Sequence, residues 1–249
     1  YQDIAHIESN WADSGERAWT NGKIVTFTNT VVGFERLIEG NVDLFFGARP
    51  SADQLAYAAE QGVELEITPI GREAFVFFVE EDEPVDGLTQ DQLRAIYHGD
   101  VTDWSQVGGR AGEIAAFQRP AGSGSQTMME YFMGEVSLKE PQTYETVGSM
   151  EGVIRHVAQY ANQRGALGYS FRYFIQGLSQ EKGVKLLAVD GVTPDLAHIE
   201  DGSYPLTVPL CLVTRKDDPN PNVGKMIDFF LSPDGQTLVR ETGYGGLAG

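Results

Sequence analysis

Basic residues are scarce in this chain: its 249 amino acids include 18 lysines and arginines against 36 aspartates and glutamates, a formal net charge of −18. A protein that follows the phosphates of DNA or RNA needs a basic surface, and the sequence contains no cluster of lysine or arginine. Nucleic acid is therefore excluded as a partner. The same imbalance predicts little long-range attraction for a small anion.

Cysteine is nearly absent as well. The single Cys211 lies in the apolar run 209–213 (PLCLV), so a fold built on disulfides is excluded. No basic residue within three positions would activate its thiol, and we expect a buried, unreactive side chain. The four histidines share no metal-ligand spacing, so we expect neither a metal site nor a cofactor.

Long apolar runs are missing too. No stretch of about 18 apolar residues would span a membrane, and no basic-then-apolar signal segment opens the chain. Hydrophobic residues nevertheless make up 41% of the sequence and aromatic residues 10%, too much for a disordered protein. What remains is an acidic, glycine-rich globular protein, whose length fits one large domain or two smaller lobes.

The first third of the chain alternates strand and helix patterns. A helix capped at Asn29 or Thr30 is expected to run to Glu39, and strand and helix alternate on both sides of it. This order predicts a parallel sheet covered by helices. The expected strands are residues 23–28, 42–46 (a buried strand), 63–70 and 74–79, and a second helix covers 51–61.

The rest of the chain continues the mixture of helices and strands. The acidic stretch 80–84 (EEDEP) is either a crossover between lobes or a plain surface loop. The strand 204–215 is expected to return the chain to the first lobe. Helices are predicted over 88–97, 126–134, 151–163, 222–231 and 232–242, and further strands over 114–118, 167–171 and 184–189.

The segment richest in chemistry is residues 114–132 (IAAFQRPAGSGSQTMMEYF). A predicted strand runs into Arg119, a glycine-containing turn carries Ser123 and Ser125, and a helix follows. The first N–H groups of a helix and the positive end of its dipole point at one place. The hydroxyls add donors, and Arg119 adds a planar charged fork for an oxyanion. The alternative is ordinary capping by a serine, with the arginine in a surface ion pair.

Two further helix starts resemble this one. Thr30 follows the predicted strand 23–28, and Ser149 lies in the segment 148–152 (GSMEG). Capping alone would explain either residue. Three helix N-termini that follow strands would nevertheless suit an α/β protein that binds its ligand at the carboxyl ends of its strands.

Four segments of the sequence are similar to one known family. They resemble motifs of the substrate-binding proteins of phosphate ABC transporters and follow one another in the same order as in that family. The segments are residues 26–50, 88–109 (LTQDQLRAIYHGDVTDWSQVGG), 117–127 (FQRPAGSGSQT) and 166–171 (ALGYSF). The block 88–127 carries the most specific part of the resemblance. The glycine- and serine-containing 117–127 corresponds to that family's anion loop.

The resemblance implies an α/β fold of the type 2 periplasmic binding-protein class. Two lobes of mixed sheets flanked by helices would enclose a ligand cleft. The first lobe would comprise residues 1–79 and 205–249, and the second residues 80–204. Hinge crossovers would lie near 79–84 and 203–209.

The resemblance also implies a function: a non-enzymatic protein that captures a small oxyanion, most favourably phosphate, and docks on an ABC permease. We expect a monomer outside the cytoplasm, anchored to the membrane through a removed N-terminal segment. No catalytic residue is expected. The candidate ligand-binding residues are Arg119, Ser123, Gly124, Ser125, Gln126, Thr30 and Ser149.

The sequence departs from the family in its carboxylates. Phosphate binders of this family often place an aspartate just before the Pro50 region, where this chain has Gly47, Ala48 and Arg49. They also often place an acidic residue at the position of Ala121. A glycine/serine/threonine turn that would supply further donors near the start is not found either. Sulfate, molybdate or a small organic anion, a ligand-free sensor or adhesion module, and an enzyme on the same fold therefore remain alternatives.

Overall fold

The computed structural model describes residues 28–141, 148, 150–159, 165–178 and 183–247. The expected strand 23–28 lies outside these residues except for Thr28. No described helix has the length and hydrophobicity to cross a bilayer. In chain order the described elements are α1 (Thr30–Ile38), β1 (Leu44–Gly47), α2 (Ala52–Glu60), β2 (Leu65–Glu80), β3 (Gly87–Leu88), α3 (Gln90–His98), β4 (Ala115–Ala116), α4 (Gly124–Met133), α5 (Met150–Gln159), β5 (Ala166–Phe171), β6 (Val184–Leu186), β7 (Ala188–Val189), α6 (Leu196–Glu200), β8 (Thr207–Arg215), α7 (Asn222–Leu231) and α8 (Pro233–Glu241).

Local capping explains where the first helices begin. The Asn29 side chain accepts a hydrogen bond from the backbone N–H of Val32 at 2.9 Å, which fixes the start of α1. Ser51 before α2 and Thr89 before α3 each form a capping box with a glutamine three residues later. Such caps satisfy N–H groups that have no partner within the helix. The predicted starts of these helices are confirmed within two residues.

The strands form a mixed sheet, and the prediction of a parallel sheet is wrong. The six-stranded sheet has the order β1-β8-β2-β5-β4, with β6 also paired to β2, and β3 pairs with β7 separately. Within the described ranges, β4–β5 and β3–β7 are parallel, and the other pairs are antiparallel. The reason is non-local: β8, from near the end of the chain, lies between β1 and β2.

Strand β2 replaces the two strands predicted over 63–70 and 74–79. Pro69 and Gly71 favour a break between two strands, but the strand continues through them, with an irregularity in its pairing with β8 at these residues. The residues up to Ala74 pair with β8, and those from Phe75 pair with β5 and then β6. One long strand thus runs through both parts of the sheet.

The apolar core has two clusters. The smaller one joins α1, α2 and β8 through Phe34, Leu37, Ile38, Ala58, Cys211 and Val213. The larger one begins at Ala74 in β2 and includes Trp104 and Tyr169. Cys211 is fully buried, as predicted, and burial raises the pKa of its thiol.

This packing bears on two predictions about the surface. The expected buried strand 42–46 is wrong: β1 is only partly buried, and Phe46 is 43% exposed. β1 lies at one end of the described strand order, so only β8 pairs with it there. The acidic stretch 80–84 connects β2 with β3, and Val79 and Leu88 on either side belong to the same larger cluster. Both ends of this stretch thus pack in one apolar cluster, and the crossover between lobes stays a prediction.

Candidate oxyanion site

The start of α4 creates the first half of the site. Gly122 adopts a left-handed φ of +76°, and Ser123 follows as the N-cap, its hydroxyl oxygen accepting from the N–H of Gln126 at 3.4 Å. The helix begins at Gly124, two residues before the predicted start. No carbonyl within the helix can reach the N–H groups of Gly124 and Ser125, so both are available to an anion.

The start of α1 lies against this turn. A Cβ added to Gly124 would lie 2.8 Å from the hydroxyl oxygen of Thr30, and one added to Gly122 would lie 3.1 Å from a methyl group of Val31. Asn29, and not Thr30, caps α1, so capping does not account for the Thr30 hydroxyl. The positive ends of two helix dipoles therefore converge on one place, which favours a negative charge there.

Ser125, next to Gly124 in the first turn of α4, has a buried hydroxyl. The residue is 1% exposed, and among the residues that the structure describes its hydroxyl has no hydrogen-bond partner. The hydroxyl of Thr127, a residue that the sequence analysis did not identify, is likewise buried and has no hydrogen-bond partner among the described residues. Buried polar groups are nearly always hydrogen-bonded in folded proteins. The Ser125 hydroxyl next to converging N–H groups is thus a donor suited to a ligand.

The backbone of Arg119 is held from below the turn. Its N–H donates to the side-chain oxygen of Gln126 at 3.0 Å and to the phenol oxygen of Tyr169 at 3.1 Å. The Tyr169 hydroxyl in turn donates to Gln126. Burial raises the pKa of Tyr169, so the phenol remains neutral and keeps its proton for this bond.

The Arg119 side chain is partly buried, and burial lowers the pKa of its guanidinium. A guanidinium nevertheless stays charged at neutral pH. Arg119 therefore carries a fixed positive charge without the basic surface that the composition excludes.

Gln126 lies under the turn. It is 5% exposed, its oxygen receives the two hydrogen bonds from Arg119 and Tyr169, and its side chain also bonds Glu130. The side-chain amide of Gln126 is thus engaged in hydrogen bonds within the protein, although the sequence analysis placed Gln126 among the ligand-binding residues. Tyr169 is not among the predicted site residues, because no local pattern signals a partner 43 residues away.

The loop between β1 and α2 borders the site. Ala48 lies 3.7 Å from the position of a Cβ on Gly124, and the Tyr131 hydroxyl of α4 donates to the Pro50 carbonyl at 2.9 Å. The loop that carries an aspartate in many phosphate binders thus does reach the start of α4. Ser149 lies outside the described residues.

A cavity of about 260 Å³ adjoins the turn on its other side. It is bounded by α1, α2 and the segment Ala121–Gly122. Its lining residues are Val31, Phe34, Glu35, Ile38, Ser51, Asp53, Gln54, Tyr57, Ala121 and Gly122.

The described residues do not assemble a catalytic group around the serines. No aspartate or histidine side chain in the described ranges hydrogen-bonds to Ser123 or Ser125. The same part of the chain contains no group of three or more His, Cys, Asp or Glu side chains that would hold a metal ion.

Comparisons with known proteins identify a family for this chain. Residues 11–234 match the family model of the PBP superfamily domain. The phosphate-binding protein PstS of Staphylococcus haemolyticus is 28% identical over 250 residues, which cover 97% of this chain and 76% of that protein. PstS of Bacillus subtilis is 27% identical over 82% of this chain, and the match spans only 63% of the Bacillus protein.

Solved structures show the same fold. An ABC-type phosphate transport receptor from Vibrio cholerae superposes with a TM-score of 0.66 at 24% identity, over 87% of this chain and 85% of that one. A substrate-binding protein from Clostridium perfringens, assigned to a phosphate ABC transporter and solved with bound phosphate, gives 0.67 at 20% identity, over 87% and 84%. The chain therefore has the mixed α/β fold of type 2 periplasmic binding proteins and belongs to the PBP superfamily.

Proposed function

We propose that this protein captures a tetrahedral oxyanion, phosphate, without catalysis. The observation that carries the proposal is the convergence of two helix N-termini beside Ser125, whose buried hydroxyl has no hydrogen-bond partner among the described residues. The PstS relatives, named as phosphate-binding proteins, support phosphate as the ligand.

Each residue of the site has a distinct role in this proposal. The N–H groups of Gly124 and Ser125 and the hydroxyls of Ser125 and Thr30 donate to the anion. Ser123 caps the helix as an acceptor, and its own proton remains available for donation. Arg119 supplies the charged fork. Gln126, with Tyr169, positions Arg119.

The fold is proposed to act as two lobes that close on the ligand. The packing supports a division within β2 between Ala74 and Phe75, since Ala74 is the last residue paired with β8 and Phe75 the first paired with β5. The second crossover would lie beside it, where the Phe75 N–H donates to the Leu206 carbonyl at 3.0 Å. In this proposal the first hinge lies slightly before the expected 79–84. Closure would exclude water and strengthen the hydrogen bonds to the anion.

The cellular role follows from the same proposal. A closed, loaded protein would dock as a monomer on an ABC permease. It would work outside the cytoplasm, attached to the membrane through a segment that precedes this chain. The two solved structures with this fold that are named for phosphate transport support the transport role.

Calorimetric titration with inorganic phosphate tests the proposal. The wild-type protein should bind one phosphate, and Arg119→Ala should weaken binding roughly 10- to 150-fold, since a lost charged hydrogen bond costs about 1.5–3 kcal/mol. Arg110→Ala, at an exposed loop position, is the matched control and should bind as the wild type does. Equal affinities in all three proteins would refute the site, and absence of phosphate binding would refute the function.

A further inference from the structure

Tyr131 on α4 makes a hydrogen bond to a loop that is distant in sequence. Its hydroxyl donates to the carbonyl of Pro50 at 2.9 Å, across a separation of 81 residues. Tyr131 is nevertheless 52% exposed. Burial of its ring therefore does not by itself account for this contact.

The two partners of this bond are attached to different apolar clusters. Phe132, the neighbour of Tyr131 in α4, belongs to the larger cluster. Pro50 lies between β1 and α2, and Phe45 of β1 packs against the smaller cluster. The bond therefore links the two parts of the molecule that the proposed function treats as lobes, with Pro50 in the first and Tyr131 in the second.

Helix geometry aligns Tyr131 with the oxyanion site. Tyr131 lies seven residues after Gly124, or two turns of α4, and residues at this spacing share one face of a helix. A Cβ added to Gly124 would approach both Thr30 and Ala48, so this face of α4 borders the first lobe at both positions. The Tyr131 hydroxyl is engaged by the Pro50 carbonyl, which makes Tyr131 a positioning residue and not a ligand of the anion.

The acceptor of the bond is held rigidly. Pro50 is buried, and its ring fixes the backbone angle φ. The next residue, Ser51, forms the capping box of α2 with Gln54. A carbonyl fixed in this way cannot follow Tyr131 when α4 moves away, so opening of the lobes breaks the bond.

The same two segments also bring like charges together. Glu130 precedes Tyr131, and Asp53 lies in the first turn of α2. Burial raises the pKa of Glu130, the hydrogen bond with Gln126 offsets part of this rise, and the Asp53 carboxylate raises it further. The two carboxylates repel each other when the lobes close, and the bond from Tyr131 to Pro50 offsets this repulsion.

We propose that the hydrogen bond from Tyr131 to Pro50 forms only when the lobes close on the anion, and that it slows the release of phosphate. The inference rests on the proposed function, including the closure of two lobes. The open form lacks the bond, so the entry of phosphate does not depend on it. In the closed form the bond shifts the equilibrium between the two forms by its own free energy.

Phosphate binding by Tyr131→Phe tests this inference, because the variant loses the hydroxyl and keeps the ring. We expect the Kd for inorganic phosphate to rise about three- to tenfold, the range for one hydrogen bond. The rise should come from faster release of radiolabelled phosphate, with an unchanged association rate. Tyr57→Phe is the matched control, since the Tyr57 hydroxyl donates to Glu39 at 3.4 Å within the first lobe. The control should bind and release phosphate as the wild type does.

Unfolding of the phosphate-free protein separates this role from a purely structural one. Tyr131→Phe should unfold at the same denaturant concentration as the wild type, because the open form lacks the bond. A lower midpoint without phosphate would show that the bond belongs to the fold at all times and would overturn the inference. An unchanged Kd, or a higher Kd caused by slower association, would overturn it as well. Each of these results leaves the proposed function standing, whereas a wild-type protein that does not bind phosphate would overturn both.

Discussion

The hydroxyl oxygen of Thr30 lies 2.8 Å from the point where a Cβ on Gly124 would stand. The two residues are the first residues of α1 and α4, so their contact brings two helix N-termini together. Any side chain at position 124 would have to displace the Thr30 hydroxyl or the helix start that carries it.

Gly124→Ala should therefore weaken phosphate binding by tenfold or more, since a contact under 3 Å forces the Thr30 hydroxyl, a proposed donor, away from its place. Gly224→Ala is the matched control, because a Cβ at that helical glycine of α7 meets nothing within 4 Å. The control should bind normally and be equally or slightly more stable. Calorimetric titration of both variants measures the difference, and normal binding by Gly124→Ala would show that the termini need not be so close.

Ser125→Ala should separate binding from stability. The Ser125 hydroxyl has no partner among the described residues, so its loss should leave the melting temperature unchanged or slightly raised. Phosphate affinity should fall roughly 10-fold or more.

Ser232→Ala provides the opposite control. Ser232 caps α8 by accepting from the N–H of Gly235 at 3.2 Å. Its loss should cost about 1 kcal/mol of stability with no change in phosphate affinity. If Ser125→Ala behaves like this control, its hydroxyl belongs to the fold and not to the site.

Ala48→Asp should alter the choice between anions. Ala48 lies beside Gly124, so a carboxylate there would accept the proton of hydrogen phosphate and repel sulfate, which has none. The ratio of sulfate to phosphate affinity should fall at least tenfold.

Ala59→Asp adds the same charge at an exposed position of α2 and should leave the ratio of sulfate to phosphate affinity as in the wild type. Competition between the two anions at pH 8 measures the effect. Equal ratios for the two variants would show that position 48 does not face the anion.

Glu73 couples stability to pH. It is buried in β2, where its carboxylate accepts from the N–H groups of Ala74 at 2.7 Å and Tyr173 at 3.2 Å. Burial raises its pKa to about 7, and the two hydrogen bonds and Arg172 offset this only in part. The folded protein thus holds this proton more tightly than the unfolded chain. Its contribution to stability is present below about pH 4.5 and is lost as the pH rises to about 7.

Glu73→Gln should flatten this dependence, which amounts to roughly 3 kcal/mol between pH 4 and 8. The slopes of the free energy of unfolding against pH are compared, and not its absolute values, because the glutamine amide has one acceptor oxygen fewer than the carboxylate. Denaturant unfolding at several pH values gives the slopes, and Glu66→Gln, exposed in the same strand, should retain the wild-type slope. Parallel profiles for the wild type and Glu73→Gln would contradict the raised pKa.

The features predicted correctly from sequence are mostly local. Asn29, Ser51, Thr89 and Ser123 cap helices through bonds to N–H groups two or three residues away, and a short pattern contains both partners. The turn at Gly122 was identified for the same reason.

The features that sequence missed depend on distant partners. Strand direction depends on β8, which joins β1 and β2 from more than 130 residues further along the chain, and pairing with β8 also carries β2 through Pro69 and Gly71. The support of Arg119 by Tyr169 has a separation of 50 residues. The cavity likewise needs two helices and a loop from distant segments.

A crystal structure of the protein grown with inorganic phosphate tests the site most directly. We expect one phosphate whose oxygens lie within 3.2 Å of the N–H groups of Gly124 and Ser125 and of the hydroxyls of Ser125 and Thr30, with the Arg119 guanidinium beside it. A phosphate bound elsewhere, or an empty turn at saturating phosphate, would contradict the convergence of α1 and α4 on one anion.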